Sequence, residues 1–337
     1  MVMRDMKYSR FVAAAVMYAV FAVYLYQPYF QSFGVLRYLI LLNACLGALG
    51  CYVLSRRWVG TFAGSFFSGA IYGFGPFALG IAALHPAAGF ITAVIPWLFA
   101  PAVFLHKTKP RRLVVLLCAL PFLAVLLFSW LAASFRLFTI PAQAKVNLAD
   151  LAGFFSPLVA ARRNAAILGI YHVPMAALII GISMLFTVRR LGIIIILVSG
   201  TGLAFGKSFL HVNPIVWLAI PVLCSAVLAG AGTGALVSSS FADRKWLISI
   251  AVVMAVLSAG MLLLATKYQK LPVFGPGYAQ AFFKTAAMYG LGAIAVFIIF
   301  VMVCVKVRVL WLRWAVLCTA MTVDIFISAG EIVCRLF

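Results

Sequence analysis

Acidic residues are the scarcest chemical groups in this sequence, which has 5 Asp and Glu among its 337 residues. Charged residues of both signs make up only 9%, whereas a water-facing surface needs about 25–35%. None of the 7 cysteines belongs to a CxxC pair or lies near a histidine at ligand spacing. These absences exclude a soluble globular domain, a disulfide framework and a cysteine-based metal centre.

Apolar residues dominate the chain instead, at 66% of the sequence with a mean hydropathy of +1.19. Backbone inside a bilayer must pair its polar groups internally, and the long apolar runs lack the alternation of barrel strands. The sequence therefore predicts an all-α fold: a polytopic integral membrane bundle of about 10–11 transmembrane helices, forming one multi-pass domain over residues 1–337. The predicted spans are 11–30, 36–54, 59–79, 89–104, 113–132, 166–188, 191–206, 214–240, 246–266, 281–305 and 309–333.

The basic residues lie in small groups between the apolar runs. There are 26 Lys and Arg, and the formal net charge is +21, a balance that points to nucleic acid in a soluble protein. Here the groups follow the positive-inside rule and indicate contact with anionic lipid headgroups, with no nucleic-acid partner. Their distribution predicts an inside N-terminus and an outside C-terminus. It also places the loop 133–165 outside, with a short interfacial helix in it.

Several motifs occur in the order found in one family of membrane enzymes. They are YVLSRR (52–57), SGAIYGFGPF (68–77), His85, PWL (96–98), ADLAGFFSP (149–157), and LAFG, VNP, IPVL and AVLAGAG within 203–232. Together they resemble the membrane core of the C-type (GT-C) polytopic glycosyltransferases and their uncharacterised bacterial relatives. The resemblance covers about two-thirds of the chain. It implies a GT-C-like fold in a bacterial inner (cytoplasmic) membrane.

The resemblance also implies that any reaction would use a sugar linked to a polyprenyl phosphate. In that family the catalytic carboxylate lies in the first outside loop. The corresponding loop here, 27–37, reads QPYFQSFGVLR and contains no acid. This departure favours a relative that keeps the fold without the catalytic chemistry.

One acid and three histidines form the candidate catalytic group on the outside. Asp150 lies in the predicted interfacial helix, while His85, His172 and His211 fall on or near the same side. A carboxylate and imidazoles facing a lipid-linked phosphate would suit a transferase or a metal-assisted site. A carboxylate at a helix start is more often a partner of the helix dipole. The pattern predicts no defined metal site and no cofactor.

Three basic residues of the outside loop are candidates for binding a lipid phosphate. Arg162, Arg163 and Lys145 could hold the phosphate of a polyprenyl carrier. Anchoring of the loop to ordinary headgroups explains the same residues. Both interpretations predict that membrane lipids are binding partners.

Two acids lie inside the last apolar run. Asp324 is in mid-span and Glu331 follows seven residues later, which places both on one helix face. An ionisable group in the bilayer is a functional-site hypothesis or half of a buried ion pair. The candidate partners are Lys207, Lys284 and Arg313. An ion pair is the favoured interpretation over a proton relay.

Three functional hypotheses follow. The first, favoured by elimination of the other two, is a non-catalytic GT-C-like membrane subunit or scaffold with protein partners in the membrane. The second is a lipid-linked-sugar glycosyltransferase acting at the outer leaflet through Asp150. The third is a transporter or flippase that uses Asp324 and Glu331.

Overall fold

The computed structural model describes residues 8–28, 35–84, 86–99, 101, 118–127, 130, 158, 191–206, 214–269, 276–305 and 309–336. Within these ranges the chain is helical apart from short turns, and no strand occurs. The principal helices are α1 (Tyr8–Tyr26), α2 (Val35–Ser55), α3 (Phe62–Gly73), α4 (Pro76–Leu84), α5 (Pro86–Leu98), α6 (Leu191–Phe205), α7 (Ala219–Ser238), α8 (Arg244–Gln269), α9 (Pro276–Cys304) and α10 (Leu310–Leu336).

Seven of the described helical segments have the length and composition to cross a membrane. They are Ser9–Tyr26, Tyr38–Ser55, Phe62–Ala82, Pro214–Ser238, Phe241–Gln269, Gly277–Cys304 and Leu310–Glu331. The predicted all-α, multi-pass membrane fold is thereby confirmed. Helices α5 and α6 have 13 and 15 residues and are shorter than a full span. The predicted span 166–188 and the outside loop 133–165, except Leu158, lie outside the described residues.

Helix α3 is the centre of the largest core cluster, and small residues allow its neighbours to approach closely. A Cβ added at Gly73 would lie 2.6 Å from the Ala48 Cβ of α2, and one at Gly64 would lie 2.7 Å from the Gly230 carbonyl oxygen of α7. Such small-residue contacts take the place of a hydrophobic driving force between helices in lipid. The glycine-rich run of α7 packs closely at Gly230, where an added Cβ would clash with the Gly64 carbonyl oxygen.

Two buried hydroxyl groups and one buried thiol join α3 to three neighbours. The Tyr18 hydroxyl of α1 donates to the Phe66 carbonyl at 2.7 Å, and the Tyr72 hydroxyl donates to the Thr92 carbonyl of α5. The Cys51 thiol of α2 donates to the Ser68 carbonyl at 3.3 Å. Each polar group buried in an apolar bundle needs such a partner, so these bonds fix the positions of α1, α2 and α5 around α3.

The third predicted span, 59–79, is two helices in the structure. Helix α3 ends at Gly73, and α4 begins at Pro76 after the bend at Phe74 and Gly75. Proline has no amide hydrogen and fixes its own φ, so it favours a new first turn over a continuous helix. The Phe74 side chain is fully buried. The break therefore lies inside protein, where irregular backbone at membrane depth is tolerated.

Helices α8 and α9 form an antiparallel hairpin, and α10 lies between this hairpin and the bundle around α3. Met321, Ile325 and Ala329 of α10 belong to the main core cluster. Leu317 of the same helix belongs to the cluster formed with α8 and α9. Helix α10 therefore joins the two parts of the core, as does α7, which contributes Ala226 to the first cluster and Leu236 to the second.

The outer faces of the bundle are apolar, as contact with lipid requires. The exposed large side chains of the hairpin and of α1 include Val252, Val256, Leu263, Phe283, Ile294, Phe297, Val12, Val16 and Val20. In water a surface of this kind would be an aggregation site. In a bilayer it is the expected surface of a multi-pass protein.

Arg313 fastens the start of α10 to the end of α7. Its guanidinium donates to the carbonyl oxygens of Val237 and Ser239 at 3.0 and 2.8 Å. The last carbonyls of a helix lack intrahelical partners and carry partial negative charge. Arg313 was one predicted partner of the intramembrane acids, and the structure shows that it binds these carbonyls of α7.

Candidate intramembrane carboxylate site

One face of α10 carries the residues from which the site is built. Alternating steps of four and three residues keep side chains on one side of a helix. The residues on this stripe are Leu317, Met321, Asp324, Ser328 and Glu331. The stripe faces α9, which meets α10 at the Leu317, Met321 and Asp324 side chains and again at Glu331. Its character changes from apolar to ionic toward the C-terminal end of the helix.

Asp324 is buried near the middle of this stripe. Its exposed fraction is 3%, and it lies about 5 Å along the helix axis from the midpoint of the Leu310–Glu331 segment. Neither carboxylate oxygen has a hydrogen-bond partner among the described residues. Buried carboxylates are normally paired or hydrogen-bonded, because burial without compensation is costly. This acid is thus maintained at an energetic cost to the fold.

A small cavity adjoins the Asp324 side chain. Its volume is about 20 Å³, and it lies between α8, α9 and α10. The lining residues are Met254, Met288, Gly292, Ala295, Val296, Leu317, Ala320, Met321 and Asp324. A space of this size admits one body as large as a water molecule. The cavity therefore offers room for a single small ligand beside the carboxylate.

The polar groups nearest to the site act on other atoms or at longer range. The Ser328 hydroxyl donates to the backbone carbonyl of Asp324, one turn earlier in its own helix, and leaves the carboxylate untouched. Tyr289 of α9 is buried and interacts electrostatically with Asp324. The immediate surroundings thus provide the carboxylate with no counter-cation in the described part of the chain.

Glu331 has a partner of its own. The Lys284 ammonium of α9 forms a salt bridge with the Glu331 carboxylate, also on the α9-facing stripe of α10. This pairing confirms Lys284 as a partner of an intramembrane acid. It separates the roles of the two acids, because Glu331 is neutralised and Asp324 is not.

A double-mutant cycle tests the Lys284–Glu331 pair. We expect Lys284→Glu and Glu331→Lys each to lower the thermal midpoint in detergent, and the double swap to recover most of the loss. The Lys284 side chain is 43% exposed, so screening keeps the coupling energy near about 0.5–1 kcal/mol. Strictly additive effects of the two substitutions would show that the pair contributes nothing.

The other predicted site residues lie outside the described residues. This holds for the outside catalytic candidates, for the phosphate-binding candidates and for one predicted partner of the acids: Asp150, His85, His172, His211, Arg162, Arg163, Lys145 and Lys207. Whether they converge stays a prediction. Over the part of the chain that the structure describes, no three His, Cys, Asp or Glu side chains are grouped so as to hold a metal ion.

The methionines of the cavity could not be recognised as site residues from the sequence. Met254, Met288 and Met321 occur in three separate apolar runs and look there like ordinary core residues. From the sequence, only Met321 can be placed next to the acid, because it lies three residues before Asp324 on one helix. The convergence of the other two depends on the packing of α8 and α9 against α10.

Comparison with known proteins gives no relative for this chain, since no protein-family model, curated protein or solved structure matches it.

Proposed function

We propose that this protein is a membrane transport protein in which the Asp324 carboxylate binds the transported or coupling cation. The single observation that carries the proposal is the buried acid beside a cavity, with no hydrogen-bond partner in the described structure. An ionisable group within a membrane span is expensive, and such groups mark ion pathways and proton relays. A proton or a small cation entering the cavity would neutralise the carboxylate.

The pairing of Glu331 with Lys284 identifies which of the two acids is available to bind a cation. Of the two acids in the last span, only Asp324 lacks a counter-charge among the described residues. Glu331 then serves to hold α9 against α10, and Asp324 serves as the ligand. One carboxylate and one cavity fit a single bound cation for each chain.

The broken helix near the centre of the bundle also supports transport. Helices α3 and α4 are separated by the bend at Phe74 and Gly75 within one long buried segment. Discontinuous transmembrane helices are typical of transporters, whose moving parts and binding sites they form. Helix α4 packs against α10, so a movement at the break would reach the helix that carries Asp324.

Ion flux in proteoliposomes tests the proposal. The full chain would be reconstituted, and the internal pH and the membrane potential would be followed with dyes after a proton or monovalent-cation gradient is imposed. We expect flux for the natural sequence and loss of at least about nine-tenths of it for Asp324→Asn. The amide keeps the shape of the side chain but has no negative charge with which to bind a cation. Asp243→Asn is the matched control, because Asp243 lies on an exposed turn before α8.

The absence of flux for the natural sequence under every gradient would contradict the proposal, as would full flux in Asp324→Asn. The subunit hypothesis would then be preferred, with retained protein partners after gentle purification as its own measurement. The glycosyltransferase hypothesis depends on Asp150 and the outside histidines, and a fold-level resemblance does not fix an activity.

The proposed location is a bacterial inner membrane with the N-terminus inside. The support is the excess of basic residues on the inside of the predicted spans over those on the outside. Arg56 and Arg57 after α2, and Arg244 and Lys245 at the start of α8, are assigned to the same inside face.

A further inference from the structure

The cavity beside Asp324 is lined by one methionine from each of three helices. Met254 comes from α8, Met288 from α9 and Met321 from α10. Each belongs to a different core cluster, so the cavity lies where three separately packed regions meet. Such a meeting point brings three thioether side chains and one carboxylate around a single small space.

The remaining lining of the cavity has no polar side chain. It consists of Gly292, Ala295, Val296, Leu317 and Ala320. A hard cation such as Mg²⁺ or Ca²⁺ takes about six or more oxygen ligands, and Asp324 is the only oxygen-bearing side chain in this lining. Thioether sulfur is a soft ligand that favours Cu(I) among the biological metals. The donors present therefore match a soft cation.

The charge of the site limits the cation further. Asp324 is 3% exposed and has no hydrogen-bond partner in the described structure, so an ionised carboxylate there has one uncompensated charge. A monovalent cation would bring the site to neutrality, whereas a divalent cation would leave a net positive charge in low dielectric. Two other charged groups of α10 have partners elsewhere: Glu331 pairs with Lys284, and Arg313 binds the carbonyls at the end of α7.

We propose that this cavity is a binding site for one soft monovalent cation of the Cu(I) and Ag(I) class, held by three methionine thioethers and the Asp324 carboxylate. The inference rests on the proposed function, since it names the class of cation that the transport site takes. The cavity of about 20 Å³ holds one such ion without its water shell. Binding forms metal–sulfur and metal–oxygen contacts only, and no redox step is involved.

Methyl NMR of methionine tests the proposal at the level of single residues. The full-length protein in detergent would carry ¹³C-methyl methionine and be titrated with silver nitrate in chloride-free buffer, silver being the redox-stable member of the class. We expect the signals of Met254, Met288 and Met321 to shift together and to follow one common saturation curve. The other methionines, of the 11 in the sequence, report sites elsewhere.

Matched variants separate the site from the cysteines, which also bind silver. Met254→Leu keeps the volume of the side chain and removes the sulfur, and we expect it to weaken binding at the cavity about tenfold or more. Met261→Leu is its control, because Met261 is a buried methionine on the same helix in a different cluster. Asp324→Asn tests the carboxylate, and thermal unfolding without silver shows that each variant folds.

The outcomes distinguish this inference from the proposed function. Joint shifts that Met254→Leu and Asp324→Asn weaken, and that Met261→Leu leaves intact, support the soft-cation site. Proton flux dependent on Asp324, with no shift of the three methyl signals, overturns the soft-cation site and leaves the transport proposal standing. Silver binding that ignores Asp324→Asn, or that shifts only exposed methionines such as Met17, overturns the proposed ligand set.

Discussion

The Asp324→Leu variant is expected to unfold at a higher temperature than the natural protein while losing cation flux. Leucine has the same branching of heavy atoms as aspartate, can extend into the adjoining cavity, and removes a buried carboxylate that has no hydrogen-bond partner in the described structure. An uncompensated polar group in an apolar core costs about 1–3 kcal/mol, and apolar replacement of buried charges is often stabilising. The measurement is thermal unfolding in detergent, paired with the flux assay.

The control for this variant is Asp243→Leu. Asp243 accepts bonds from the amide and hydroxyl of Ser240 on an exposed turn, so its removal loses a cap and gains nothing. We expect a small decrease in its thermal midpoint. A decrease of similar size or larger for Asp324→Leu would mean that the carboxylate stabilises the fold. The interpretation that the Asp324 carboxylate is a cation ligand kept at the expense of stability would then be wrong.

Gly69→Ala is expected to destabilise the packing of α3 against α1 and α2. A Cβ there would lie 2.5 Å from the Ala48 carbonyl oxygen of α2 and would also clash with the Tyr18 hydroxyl of α1. The Ala48 oxygen belongs to a packed helix backbone and cannot rotate away. Overpacking of this kind costs about 1–3 kcal/mol or more. Size-exclusion chromatography with fluorescence detection would show the loss of folded protein.

Gly260→Ala in α8 is the matched substitution, because nothing lies within 4 Å of the added Cβ. Alanine favours a helix over glycine by about 0.5–1 kcal/mol, so this variant should be as stable as the natural protein or slightly more stable. Equal yields of folded Gly69→Ala and Gly260→Ala would show that α1, α2 and α3 pack less closely than the structure indicates.

The sequence was sufficient for the class of fold, because apolar runs of span length have few other solutions. It was insufficient for the interruption of the third span. Gly73, Phe74 and Gly75 are apolar, so hydropathy continues through the break, and only Pro76 hints at it. The number of spans could not be obtained either, since α5 and α6 are apolar without being long enough to cross alone.

The candidate site was predicted in part. The seven-residue spacing of Asp324 and Glu331 places both acids on one face, and the sequence offers Lys284 as one of three candidate partners, which the structure bears out for Glu331. Which acid takes the lysine depends on the register of α9 against α10, and that register follows from packing. The same holds for Arg313, whose side chain reaches the end of α7. Helical spacing within one span carries no information about a second helix.

Helix α10 is fastened near both of its ends. Arg313 ties its first turn to the last carbonyls of α7, and Glu331 ties its last turns to Lys284 of α9. A helix attached near both ends cannot slide along its axis or rotate about it without breaking one of the two attachments. Any response to charge neutralisation at Asp324, about 10 Å from Glu331 along the helix, is therefore confined to bowing of the middle of the helix. The cavity beside Asp324 provides room for that bowing, whereas a piston-like movement of α10 would break one of the two attachments.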